Sequence, residues 1–286
     1  MTDTLTTREK ITAPAVLAMK GSGRKIVMVT AYDYPTARAV ELAGIDAILV
    51  GDSLGMVVLG YESTIPVTME DMLHHTRAVM RGISTAHVVA DLPFMSYQIS
   101  DEQALGNAGR LMKEGGADAV KLEGGRSMAS RIEAIVRAGI PVMAHIGLTP
   151  QASAALGGFK VQGRSLDAAR AMIEDALAVE RAGAYAVVLE AIPRQLARIV
   201  TSRLAIPTIG IGAGVECDGQ VLVNADLLGS YDRFTPRFAR QYTNLLDAMR
   251  VAFSSFADEV RSGEFPTQEH GFAMSREVIA ALEDTD

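Results

Sequence analysis

Eight short apolar runs rich in Val and Ile punctuate the chain, at residues 26–32, 46–51, 87–93, 118–124, 140–147, 185–192, 206–214 and 220–229. Amphipathic stretches lie between them. Strands that are nearly continuous in apolar residues and alternate with helices indicate a parallel sheet covered by helices. Helix punctuation supports this. Thr68 with Asp71 forms a capping box for a helix ending near Gly82, and Ser100 with Gln103 opens another ending near Gly115. An N-terminal helix is predicted around residues 12–19, stopped by Gly21, and a C-terminal helical region at about 237–261. The last residues, about 267–286, are acidic and carry no strand pattern, so poor order is expected there.

Eight strands with a helix after most of them, and no shift in composition along the chain, predict one α/β domain over residues 1–286. The expected form is a (β/α)8 TIM barrel spanning about 24–262, with an extra N-terminal helix and C-terminal helices. An open doubly wound sheet is the alternative. The chain has 286 residues, 49% hydrophobic and 21% charged, which suffices for a large core. Its net charge of −7, without a long basic run, argues against nucleic-acid binding. The N-terminus lacks an apolar signal region, and no stretch is long and apolar enough to span a bilayer, so a cytoplasmic location is expected. Cys217 is the single cysteine, which excludes an intrachain disulfide and any multi-cysteine metal site.

In a barrel of this kind, catalytic groups project from the carboxyl ends of the strands. Polar residues ending apolar strands are therefore the ones to collect: Asp52 and Ser53, Asp91, Lys121 and Glu123, His145, and Glu190. Taken singly, each has an ordinary reading. Asp52 and Asp91 suit turns, Lys121 and Glu123 suit a buried ion pair, and His145 suits a hydrogen-bonded core position. Taken together, unpaired burial of so many charges would cost several kcal/mol each, so they are expected to share one site.

The residue types suggest the chemistry. Asp52, Asp91 and Glu123 offer hard oxygens, which suit Mg²⁺, and a chelating 2-oxo acid could complete the coordination. Lewis acidity at the ketone would acidify the neighbouring carbon. Glu190, in an apolar setting that favours a raised pKa, is the candidate general base. Lys121 would offset the carboxylates and bind substrate or enolate charge, with Ser53 assisting. The glycines of IGIGAG (residues 209–214) fit close packing at least as well as phosphate binding, and their placement does not fit a dinucleotide fingerprint. His74 and His75 are expected on the surface.

At these same positions the chain resembles the ketopantoate hydroxymethyltransferase family. The resemblance runs through VTAYDYPTA (29–37), ILVGDSLGMVVLGYEST (48–64), VVADLPFMSY (88–97) and NAGRLMKEGGADAVKLEGG (107–125). It continues through PVMAHIGLTPQ, GGFKVQGR, AYAVVLEAIP and IPTIGIGAGVECDGQVLV, covering roughly residues 8–266. Departures are small: AHIGLTP stands for GHIGLTP, LEAIP for LECVP, and Ala225 precedes Asp226 where the family usually has His.

The resemblance implies metal ligands at Asp52, Asp91 and Glu123, 2-oxo acid contacts at Asp52, Ser53, Asp91 and Lys121, and a proton acceptor at Glu190. It implies the family reaction: C3 of 3-methyl-2-oxobutanoate is deprotonated and adds to the methylene carbon of 5,10-methylenetetrahydrofolate, giving 2-dehydropantoate and tetrahydrofolate for pantothenate synthesis. It further implies a homo-oligomer, commonly a decamer. Two other functions remain open at this point. One is a Mg-dependent lyase or mutase of the phosphoenolpyruvate/isocitrate lyase type, whose lyases use a cysteine; the other is a catalytically silent barrel.

Overall fold

A computed structural model describes residues 8–284. Its strands are β1 (Ile26–Thr30), β2 (Ala47–Val50), β3 (His87–Asp91), β4 (Ala119–Glu123), β5 (Val142–Gly147), β6 (Ala186–Glu190), β7 (Thr208–Ile211) and β8 (Gly219–Leu222). All neighbouring pairs are parallel, and β8 returns to β1, so the sheet closes into a barrel in sequence order. The helices are α1 (Ala13–Ala18), α2 (Tyr34–Leu42), α3 (Leu54–Val57), α4 (Met69–Met80), α5 (Asp101–Arg110), α6 (Ala129–Arg137), α7 (Ser153–Leu156), α8 (Leu166–Arg181), α9 (Arg194–Arg203), α10 (Asn224–Leu228), α11 (Leu245–Ser262) and α12 (Arg276–Glu283). The (β/α)8 barrel expected from the periodicity is present, and the open sheet is excluded by the β1–β8 pairing.

Strand alternation divides the core in two. Outward residues such as Ile48, Val50, Val88, Ala90, Val120, Leu122, Val187 and Leu189 pack beneath the helices. Inward residues such as Met28, Leu49, Val89, Ala119, Met143, Val188 and Ile209 fill the lumen, and α1 extends that cluster through Ala13 and Val16. The capping box is as expected: Asp71 N donates to Thr68 Oγ1 while Asp71 Oδ2 accepts from Thr68 N. At α5, Ser100 Oγ accepts from Gln103 N, and a π-helical turn, Leu111–Gly115, continues the helix to the expected stop.

Three boundaries differ from the sequence reading. The eighth strand stops at Leu222, and residues 224–228 form α10, which ends at left-handed Gly229. Residues 237–243 are not helical. Tyr242 N donates back to Leu227 O and Ala239 N to Pro236 O, so the helix begins only at α11, where Asn244 Oδ1 caps Asp247 N. The tail, expected to be poorly ordered, forms α12, capped by Ser275, whose side chain accepts from Val278 N. Residues 285 and 286 lie outside the described residues, as does most of the N-terminal stretch read for a signal.

No residue of α11 is buried, and Leu245, Leu246, Met249, Phe253, Phe256 and Val260 present an uncovered apolar face. The outer face of the β8–β1 seam is uncovered as well: Val27 is 45% exposed and sits in register with exposed Gln220. Among the described residues no helix is long and apolar enough to cross a membrane.

Candidate active site

The inward positions at the carboxyl ends of the strands break the apolar pattern of the lumen. Along β4, inward Ala119 is followed by Lys121 and Glu123. On β3 Val89 is followed by Asp91, on β5 Met143 by His145, and on β6 Val188 by Glu190. Strand register then decides which of them meet. Asp91 lies opposite Lys121, and Glu123 opposite His145. Asp52 and Ser53 follow β2 in the turn that opens α3, where Leu54 N donates to Gly51 O. All seven residues collected from the sequence line one cavity of about 100 Å³, together with Thr30, Pro150 and apolar Leu49, Val188, Ile211, Val221 and Val223.

Lys121 Nζ lies 3.0 Å from Asp91 Oδ1, and both side chains are 4% exposed. Asp91 Oδ2 accepts from the Asp52 backbone N–H at 3.1 Å. Four carboxylates thus face a single lysine, in a setting where ionising each is costly. Burial, reinforced by the Asp91 charge, pushes the Asp52 carboxyl up to about 7. Burial, followed by the Asp52 charge, raises Glu123 well above the usual carboxylate range. Burial would discharge Lys121, but Asp91, Glu123 and Asp52 outweigh it and raise its pKa. The cavity as it stands is short of positive charge.

That shortage is the observation against which a metal is tested. The donors are hard oxygens, and buried Asp91 Oδ1 accepts no well-directed hydrogen bond, so a divalent cation would relieve both deficits. Among the described residues no three His, Cys, Asp or Glu side chains stand together closely enough, as placed, to hold a metal ion between them, so a cation here would take only one or two carboxylates directly and fill its shell with water and substrate oxygens. That suits magnesium, which keeps water and substrate oxygens and rests on few protein carboxylates. Asp52, Asp91 and Glu123 are the residues that fit it.

His145 is the hub of the far wall. Its Nδ1 is 3.3 Å from Lys121 Nζ and 3.6 Å from Glu123 Oε1, and its Nε2 is 3.1 Å from Glu190 Oε2. The last contact is close but off the ideal hydrogen-bond line, since Nε2 has no well-directed partner. Burial and the Lys121 charge lower the His145 pKa despite Glu190. Glu190 differs from its sequence expectation. Its side chain is 15% exposed and faces the imidazole, where an apolar enclosure was expected.

The backbone around Glu190 is tightly fixed. Its carbonyl accepts from Leu148 N, and the next residue, Ala191, is held at φ +47° by a bond from its N to Ile211 O. Gly147 has φ +100°, and a Cβ there would sit 2.2 Å from Glu190 O. Met95, in the loop after Asp91, is the other non-glycine residue at positive φ among the described residues, and such strain concentrates at functional sites.

Sequence reasoning missed the uncharged supports. Gln151 Nε2 donates to Asp52 Oδ2 at 2.8 Å and to Leu92 O, and its backbone N donates to Glu123 Oε2 at 3.0 Å. Tyr97 OH donates to Gln151 Oε1 at 2.7 Å and accepts from Glu123 N at 3.2 Å. Tyr32 OH pairs with Ser53 Oγ at 2.9 Å. Burial raises both tyrosines above their usual pKa and keeps the hydroxyls protonated. His75, expected on the surface, is half-buried because its Nδ1 meets Tyr32 O at 2.6 Å. Cys217 belongs to the outer core layer, where its Sγ would be 3.0 Å from a Cβ at Gly210. Close packing therefore accounts for this glycine, and no thiol reaches the cavity lining.

The model of the family described as ketopantoate hydroxymethyltransferase matches residues 10–268. The 3-methyl-2-oxobutanoate hydroxymethyltransferase of Moorella thermoacetica is 59% identical, the alignment covering 93% of this chain and 98% of that protein. The one from Enterococcus faecalis is 57% identical over 96% of this chain and 99% of its own. Among solved structures, phosphoenolpyruvate phosphomutase from Streptomyces platensis subsp. rosaceus aligns with a TM-score of 0.60 at 18% identity. That alignment covers 96% of this chain and 95% of the other, and it bears on the barrel fold alone.

Proposed function

The chain belongs to the ketopantoate hydroxymethyltransferase family, a family of transferases, and from that premise we propose its reaction in detail. It takes 3-methyl-2-oxobutanoate, 5,10-methylenetetrahydrofolate and water to 2-dehydropantoate and tetrahydrofolate, a step towards pantothenate. The observation that carries this reading is the cavity itself: a small, buried, carboxylate-rich chamber with one lysine and a glutamate at its edge. Its volume of about 100 Å³ is several times the roughly 10–15 Å³ that admits a single water, which suits a small oxo acid. A folate would have to approach from the mouth.

Magnesium bound to Asp52, Asp91 and Glu123, directly or through water, would supply Lewis acidity at the ketone. The residues do the rest. Lys121, kept charged by its neighbours, attracts the substrate carboxylate and the negative charge that develops when C3 loses its proton. Ser53, fixed by Tyr32, offers a hydroxyl to the same oxygens. Glu190 removes the C3 proton as the general base. The lyase reading lacks a cysteine at the cavity, and the silent-barrel reading would require loss of the charged lining that is retained.

The enzyme acts as a homo-oligomer. Support comes from the uncovered apolar face of α11 and the bare β8–β1 seam, surfaces that further copies of the chain would cover. The reaction is tested by incubating the protein with both substrates and following 2-dehydropantoate by mass spectrometry. Formation that requires the folate and is abolished by chelator supports the reading. Absence of product at any magnesium concentration would overturn it.

A further inference from the structure

We propose that His145 is a positioning residue: held by Lys121 at Nδ1, it keeps its single ring proton on Nε2 and so aims the Glu190 carboxylate at the substrate. The role rests on the reaction proposed above, in which Glu190 is the base. The argument begins with Lys121. An ammonium group has protons and no lone pair, so an imidazole nitrogen 3.3 Å away can face it only through its own lone pair, as an acceptor. Glu123 Oε1, 3.6 Å from the same nitrogen, is too distant to claim a proton from it. The ring proton therefore belongs on Nε2, and Nε2 lies 3.1 Å from Glu190 Oε2.

Glu190 needs such a restraint. Its backbone is fixed by the Leu148 N–H and by left-handed Ala191, but its side chain is partly exposed. Among the described residues, His145 is the side chain that meets its carboxylate. The Nε2 edge of the ring, in close contact with Oε2 though off the ideal hydrogen-bond line, limits the rotamers of the carboxylate and leaves the other oxygen for the proton in transit. A base misplaced by about 1 Å costs on the order of 100-fold in rate. Because His145 is 3% exposed and lies between its two partners, the alignment is built into β4, β5 and β6.

The test pairs two substitutions with a measurement on the unaltered protein. His145→Asn places an amide near the Nδ1 position and abandons Glu190, whereas His145→Gln reaches towards the Nε2 position. His145→Asn is expected to lower kcat and C3 deuterium exchange about 100-fold, with KM within a few-fold and the magnesium-induced rise in Tm retained. His145→Gln is expected to recover at least about tenfold of that loss, as a restored donor would. In wild type, ¹⁵N-histidine spectra should show the Nε2–H tautomer. An Nδ1–H tautomer, a His145→Asn rate within twofold of wild type, or equal loss of rate and of the magnesium response in both variants would each overturn the role. Wild type that turns over nothing would overturn the reaction itself, and this role with it.

Discussion

Asp52 shows how one buried carboxyl links protons, metal and stability. Its pKa in the folded protein, about 7, lies above the ordinary value of 3.8 because of burial and the Asp91 charge. The sign follows from linkage: a raised folded pKa contributes stability that is full below about pH 4 and lost as the pH rises through 7. Metal-free protein should therefore be destabilised on this account towards pH 8, and magnesium should restore it. His87, pushed down to about 4 by burial, works the other way, its cost growing as pH falls from 6.5 through 4, and magnesium should not touch that limb. The expected outcome is a magnesium-induced increase in Tm that is large at pH 8 and small at pH 5, measured by calorimetry. At this scale the charged members of the site were legible, since unpaired burial has a cost that only a shared site removes. Gln151 and Tyr97 were not, because an uncharged residue carries no such cost in the sequence, and both lie beyond the apolar runs that mark the strands.

Elements explain why those side chains converge. The nearly continuous apolar runs made β3, β4, β5 and β6 readable, and the alternation of side chains between the two faces of a strand accounts for the inward placement of Asp91, Lys121, Glu123, His145 and Glu190. What periodicity does not encode is where a short apolar run stops being extended. Residues 224–228 continue the apolar pattern of β8 yet coil into α10, because left-handed Gly229 and the bond from Ser230 N to Ala225 O close a helical turn. Contact between elements also sets tolerance. Gly147, at φ +100°, abuts Glu190 O, so Gly147→Ala must displace β6 at the base itself. The expected outcome is a loss of several kcal/mol of stability, on the order of the larger single-substitution effects, with kcat reduced more than KM raised, checked by denaturant unfolding and steady-state kinetics.

For the whole molecule, the barrel is complete as a sheet while its coat is open at the β8–β1 seam, and α11 stands with its apolar face uncovered. The sequence pattern located the amphipathic helix but could not say what it packs against, since an apolar stripe specifies burial without naming the partner. Exchanging Phe253 and Phe256 for Asp is expected to reduce the assembly to smaller species in light scattering coupled to size-exclusion chromatography, and wild type is expected to be larger than a monomer. The claim on which everything else rests is that this chamber enolises a 2-oxo acid with Glu190 as base. Deuterium exchange at C3 of 3-methyl-2-oxobutanoate in D2O, followed by NMR, tests it most directly, with and without magnesium and folate, in wild type and in Glu190→Gln. The account expects magnesium-dependent exchange in wild type, reduced at least about 100-fold in the variant. Exchange undiminished in Glu190→Gln, or none in wild type under any of these conditions, would contradict it.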